Sequence, residues 1–215
     1  MGISLSKAII FDFDGTLVDS EKTIYQCFQS ITKEIAPDRI GYAKNILIGP
    51  PLRDTVAEIL GPINQSKYDQ FIKLFIKMHD NKVIQHTKPY KGVSELLSIL
   101  SNKKIPLAIA TNKRKQPTIK LIKHFKWENH FMTIECIDSQ TKLRNKDDMI
   151  KDIINHDNNF KSCYFVGDTI NDGLSANLNK LKFIRAEYGY GQNQDWSKIK
   201  VIQSIKSFLE LQLFI

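Results

Sequence analysis

Ala8-Ile9-Ile10-Phe11-Asp12-Phe13-Asp14-Gly15-Thr16 is the stretch on which the reading of this 215-residue chain turns. Four apolar residues run without a polar break, as in a parallel strand covered on both faces, and two carboxylates follow at once. Residues two apart on a strand point the same way, so Asp12 and Asp14 are expected on one side. At the carboxyl end of a parallel strand, that side opens on the crevice where such sheets bind ligands. Gly15 lets the backbone turn tightly beside them.

Outward from this stretch, similar apolar segments recur at Ile105–Thr111, His130–Ile137 and Cys163–Val166, with a weaker one at Leu181–Ala186. Between them lie helical patterns at Gly92–Leu100, Pro117–Phe125, Asp147–Asn155 and Asp172–Lys180. Such alternation predicts an α/β fold, a Rossmann-like parallel sheet with helices on both faces. The tail, Ser204–Phe214, reads as a closing amphipathic helix after a short strand around Val201-Ile202. From Ser20 to Thr87 the alternation stops. Thr23–Ile35, Leu52–Leu60 and Tyr68–Met78 show helical periodicity, punctuated by Pro37, Gly49-Pro50-Pro51 and Gly61-Pro62. An all-helical insertion over residues 20–87, between core segments 1–19 and 88–215, is the expected organisation.

A second acidic strand end strengthens the first. In Val166-Gly167-Asp168-Thr169-Ile170-Asn171-Asp172, Asp168 closes a strand and Asp172 stands near the start of the next helix. Carboxylates from two strand ends brought together would repel and raise one another's pKa. A hard divalent cation relieves this, and Mg²⁺ is the natural candidate. Thr111-Asn112-Lys113 places a hydroxyl and backbone amides at another strand end, a suitable setting for an anion. A lysine ahead of Met149–Ile154, either Lys142 or Lys146, could neutralise a phosphoryl group.

Composition narrows the function classes. Hydrophobic residues make up 42% and charged residues 25%, an ordinary folded balance, and no apolar run is long enough to span a bilayer. The charge of +8, from 31 Lys+Arg against 23 Asp+Glu, favours anionic ligands. The basic residues are scattered, however, and no RNA-binding or zinc-ligand pattern accompanies them, so a solvated lysine-rich surface is preferred to a nucleic-acid face. Three cysteines, Cys27, Cys136 and Cys163, form no CxxC and read as reduced thiols of a cytoplasmic protein. Gly2 with Ser6 fits the short myristoylation pattern, and Asn64-Gln65-Ser66 fits a glycosylation acceptor. Patterns this short recur by chance, and neither carries weight without a lipid or secretion context. The sequence sets no oligomeric state.

Together these residues resemble the haloacid dehalogenase-like superfamily of phosphohydrolases over nearly the whole chain. Asp12-x-Asp14-Gly15-Thr16-Leu17-Val18-Asp19-Ser20 is similar to the first motif of members with a helical cap. Thr111-Asn112 resembles the second motif, and Asp168 with Asp172 the fourth. Pro89-Tyr90-Lys91-Gly92-Val93 and Gly49-Pro50-Pro51-Leu52-Arg53 are similar to segments of phosphoglycolate-phosphatase-like relatives. Lys146-Asp147-Asp148-Met149-Ile150 resembles the third motif of relatives lacking the usual proline, and Lys146 is preferred to Lys142 on that ground. Asn177-Leu178-Asn179-Lys180 departs from the Ala-Gly-rich turn common after the fourth motif.

The resemblance implies a phosphatase for a small phosphorylated metabolite: phosphoglycolate, a sugar phosphate or a nucleoside monophosphate. It implies Asp12 as nucleophile through an aspartyl-phosphate, Asp14 as general acid and base, and Lys146 as a catalytic cation. Mg²⁺ would be held by Asp12, the Asp14 carbonyl, Asp168 and Asp172, with no organic cofactor. Thr111, Asn112 and Gly15 would contact the phosphoryl group, and Arg53 would read an anionic substrate from the cap. A phosphomutase of the same superfamily is the alternative, with a non-catalytic interaction module behind it.

Overall fold

The computed structural model describes residues 8–62 and 65–214, so the Gly2 and Ser6 pattern, Lys7 and Asn64 lie outside the described residues. The first half of the chain holds β1 (Ile9–Phe11), β2 (Val18–Asp19), α1 (Glu21–Ile35), α2 (Ile40–Ala43), α3 (Leu52–Leu60) and α4 (Gln65–His86). Then come β3 (Lys88–Pro89), α5 (Val93–Asn102), β4 (Leu107–Thr111), α6 (Lys115–His124) and β5 (Thr133–Cys136). The chain closes with α7 (Lys146–His156), β6 (Tyr164–Gly167), α8 (Ile170–Leu178), β7 (Lys182–Ala186) and β8 (Gln203–Ile205).

Six strands form one sheet in the order β5-β4-β1-β6-β7-β8, every neighbouring pair parallel. β1 lies inside it, paired through Ile10 to Ala108 on one side and Phe165 on the other. Its apolar run serves both faces. Ile9 and Phe11 pack with Val93, Leu96, Leu97, Leu121 and Phe208, whereas Ile10 packs with Met149, Ile150, Phe165 and Phe183. That two-sided burial is why the strand shows no polar alternation. The Rossmann-like sheet with helices on both faces is therefore the fold.

The helical region has a core of its own, where Ile24, Cys27, Phe28 and Ile31 of α1 meet Val56 and Ile59 of α3 and Phe71 and Phe75 of α4. The chain enters and leaves it through β2 and β3, which pair antiparallel with Val18 opposite Pro89 and Asp19 opposite Lys88. α4 runs a full turn and more past the expected Met78. Its buried stripe is Phe71, Phe75, His79 and Val83, and the histidine hides the continuation from an apolar count.

The expected tail helix is corrected. Strand β8 lies at Gln203–Ile205 rather than Val201-Ile202, and Phe208–Leu213 is a 3-10 helix. Phe208 and Leu211 are its buried residues, and a spacing of three suits the three-residue turn. The three cysteines are free and buried. Among the described residues no helix is long and apolar enough to cross a membrane.

Because Ile10 is wholly buried and covered by helices α7 and α8, Ile10→Ala should cost about 2–5 kcal/mol in urea unfolding. Leu178→Ala, on a side chain that is 69% exposed, should change stability by less than about 0.5 kcal/mol.

Candidate active site

Asp12 follows β1 directly, and its N–H still extends the ladder by donating to the Val166 carbonyl at 2.9 Å. The chain then folds back: Leu17 and Val18 donate to the Phe13 carbonyl, and Gly15 donates to Val18. Gly15 has φ +87°, and a Cβ there would collide with the Asp168 carboxylate. Only glycine allows the loop to lie against that acid.

β6 ends in Gly167 and delivers Asp168, whose oxygens accept from the Thr16 hydroxyl at 3.1 Å and the Tyr190 N–H at 2.7 Å. Thr169 precedes α8, and Asp172 in its first turn accepts from the Thr169 N–H at 2.9 Å and hydroxyl at 2.6 Å. α7 begins at Lys146, its start secured by the Asn145 side chain, which accepts from the Asp148 N–H at 2.8 Å. Buried Lys146 donates to Asp12 Oδ1 at 2.6 Å and also to Asp172 Oδ1. Lys142, by contrast, is exposed.

Asp12, Asp168 and Asp172 are all buried, and each offers an oxygen within 4.8 Å of the others. Set against the single Lys146 ammonium, three carboxylates leave a surplus of two negative charges. A divalent cation with oxygen ligands fits that charge and donor set. Asp172 uses one oxygen on Lys146 and the other on Thr169, so it holds the lysine and helix in place as much as it offers a ligand. Burial first, and Asp172 next among the charges opposing ionisation, push Asp12 up to about 7 despite the neighbouring ammonium. Burial, then Asp172 and Asp12, raise Asp168 well above the ordinary carboxylate range. For Lys146 the two carboxylates outweigh burial and raise its pKa, which keeps the ammonium charged.

Asp14 sits apart from this cluster. Its carboxylate accepts from the Ser20 hydroxyl at 2.6 Å and from Lys113 Nζ at 2.9 and 3.0 Å. Asp12 and Asp14 nonetheless line one pocket with Thr111, Asn112 and Lys113 from the core and with residues of the helical region. The Thr111 hydroxyl accepts from the Lys113 N–H at 3.2 Å, and Asn112 Nδ2 donates to the Gly49 carbonyl at 2.8 Å. Gly49 itself lies close enough to Thr169 that a Cβ would come within 2.8 Å of its methyl.

Arg53 is not brought to this place. It is exposed on α3, where Leu52 and Thr55 of the same helix line the pocket, because residues one and two positions apart on a helix diverge. Lys113, Ser20, Thr169 and Tyr190 are site residues that sequence reasoning passed over. Lys113 had a signal, being third in the Thr111-Asn112-Lys113 segment. Tyr190 had a faint one in Glu187-Tyr188-Gly189-Tyr190-Gly191, which folds as a turn against Asp168.

The protonation of Asp12 sets a testable sign. Unfolded, this carboxyl titrates near 3.8, whereas the metal-free fold keeps its proton up to about 7. The folded state thus binds more protons between those values, and its stability should fall as pH climbs through that window. Mg²⁺ competes with the proton, so its apparent affinity should drop at least about tenfold per pH unit below 7, Asp168 adding to the fall. Thermal melts from pH 5 to 8 should show a Mg²⁺-induced gain in Tm that grows with pH. A gain independent of pH would contradict this.

The sequence matches the family described as haloacid dehalogenase-like hydrolase over residues 9–186. A 5'-nucleotidase of Pseudomonas aeruginosa is 24% identical over 189 residues, covering 87% of this chain and 85% of that protein. A phosphoglycolate phosphatase of Photobacterium profundum is 26% identical over 200 residues, covering 87% and 86%. The crystal structure of a predicted phosphatase from Clostridium acetobutylicum superposes with a TM-score of 0.84 at 26% identity, covering 98% of both chains.

Proposed function

The chain belongs to the haloacid dehalogenase-like hydrolases, and from that premise we propose that it is a Mg²⁺-dependent phosphatase for a small phosphorylated metabolite. The observation that carries this reading is the buried Asp12–Lys146–Asp172 contact beside Asp168, with Asp12 lining a pocket that Asp14 also lines. Asp12 is the nucleophile: its carboxylate attacks phosphorus, the ester oxygen departs, and an aspartyl-phosphate forms. Lys146 holds that carboxylate in position and offsets charge on the phosphoryl oxygens. Thr111 and the backbone amide of Asn112 orient the same oxygens.

Asp14 supplies a proton to the leaving oxygen and then takes one from the water that hydrolyses the intermediate. Lys113, which grips Asp14 in the structure, has to be drawn toward the incoming phosphoryl charge before Asp14 can carry that proton. Asp12 and Asp168, with the Asp14 carbonyl and Asp172 beside them, are the groups that would hold Mg²⁺. When bound, the cation adds positive charge against the transferring phosphoryl group. Residues 20–87 form the cap in this reading, and segments 1–19 and 88–215 form the core. The Asn112–Gly49 bond and the Gly49–Thr169 approach support a cap that closes over the leaving group and excludes water.

Phosphate release from a panel of phosphorylated metabolites tests this directly. Asp12→Asn should lose at least ~10³-fold in kcat with the fold retained by circular dichroism. Chelation of divalent cations should abolish turnover, and Mg²⁺ should restore it. Wild-type turnover that Asp12→Asn keeps would overturn the assignment.

A further inference from the structure

The helical region contributes Ile24, Phe28, Leu47, Ile48, Leu52 and Phe75 to the pocket that holds Asp12 and Asp14. The cavity has a volume of about 90 Å³, room for roughly six to nine waters. Two further side chains from this region are polar. The Thr55 hydroxyl turns back to the Pro51 carbonyl, and His79 stacks on Phe75 with Nδ1 3.5 Å from Asp80. Burial lowers the His79 pKa, so its ring is neutral at neutral pH.

The charged groups are already matched. Lys113 spans both oxygens of Asp14, Arg114 is paired with Asp80, and Arg53 is exposed on α3. Among the described residues, each lysine or arginine lining the pocket has an acidic partner, and Lys113, when it leaves Asp14, goes to the phosphoryl group. Asn112 adds a second sign: Nδ2 is spent on Gly49, and Oδ1, an acceptor, is buried with no partner among the described residues. The Asn112 Oδ1 atom itself would welcome a donor from the leaving group rather than a second anionic oxygen.

Resting on the phosphatase reading above, we infer that the substrate is a phosphomonoester whose leaving group is uncharged and presents apolar surface to this wall. A second anionic group, such as the carboxylate of phosphoglycolate, is selected against. A carboxylate placed among Phe28, Ile48 and Phe75 loses its hydration and finds no free partner. Apolar atoms in the same position gain from leaving water, and the small volume favours a short leaving group.

A matched pair isolates the charge: phosphoglycolate and its carboxyl methyl ester share the same phosphoester linkage. With Mg²⁺ present, kcat/KM for phosphate release should be ~10²-fold higher for the methyl ester, with n-butyl phosphate also preferred over phosphoglycolate. Leu52→Arg puts a cation at the half-buried rim of the wall, where it can be tolerated, and should narrow the ratio at least ~10-fold. Leu47→Lys, at another half-buried lining position, replaces it if the first variant fails to fold. Phosphoglycolate turned over as fast as its methyl ester, or an unchanged ratio in both folded variants, would overturn the inference and leave the phosphatase standing. If wild type released no more phosphate than Asp12→Asn from any ester, the phosphatase reading would fall and the inference with it.

Discussion

Three carboxylates and one ammonium are buried together where β1, β6, α7 and α8 converge. Desolvating such charges is costly, and removing the ammonium would leave three buried carboxylates without a counterion. Much of the neighbouring architecture can be understood as meeting that cost. The parallel sheet brings Asp12 and Asp168 to adjacent strand ends, because β1 and β6 pair in register, Phe11 beside Val166. The start of α7 carries Lys146 into the gap, and Thr169 occupies the Asp172 oxygen that the lysine does not. Even Gly15 and Gly189 belong to this arrangement, since a side chain at either would strike Asp168.

The helical region stands in a different relation to the site. It contributes most of the pocket's apolar surface, yet supplies no carboxylate or lysine to the charged cluster. Its contacts with the core around the pocket include Gly49 against Asn112 and Thr169 and the Arg114–Asp80 ion pair. The charged cluster and the pocket's apolar wall are thus carried by separate layers. A side chain can change on the recognition layer without unbalancing buried charge on the other.

How much of this could be read in the sequence follows from the physics of each residue. The central strands were legible because burial on both faces removes polar alternation, and Asp12 and Asp168 because acids directly after such runs have little other use. Lys146 was separable from Lys142 only through the resemblance of its segment to a lysine-leading helix of relatives and its distance before Gly167. Lys113 was obscured by composition, since in a chain carrying 31 basic residues one more lysine looks like surface. Ser20 and Tyr190 reach the site across 6 and 22 positions from Asp14 and Asp168, the first through its hydroxyl and the second through its backbone N–H, contacts set by the path of the chain in three dimensions. Arg53 shows the opposite case: its neighbours in sequence do line the pocket, but the helix turns it outward. The tail was misread because two buried residues three apart are too few to tell a 3-10 turn from an α-helix.

The two-residue strands that admit and release the helical region are short, but their pairing has a topological consequence. Asp19 and Lys88 face each other across an antiparallel pair, so the intervening chain begins and ends at neighbouring points roughly 5 Å apart. To the sheet, the segment between them is equivalent to a hairpin loop, whatever its length. Loop-closure entropy grows only logarithmically with the number of residues enclosed, so lengthening or shortening the excursion changes that cost little. The helical region is therefore a removable cassette in the geometric sense: the charged cluster is assembled by strands and helices that would still meet if the two ends were joined by a turn.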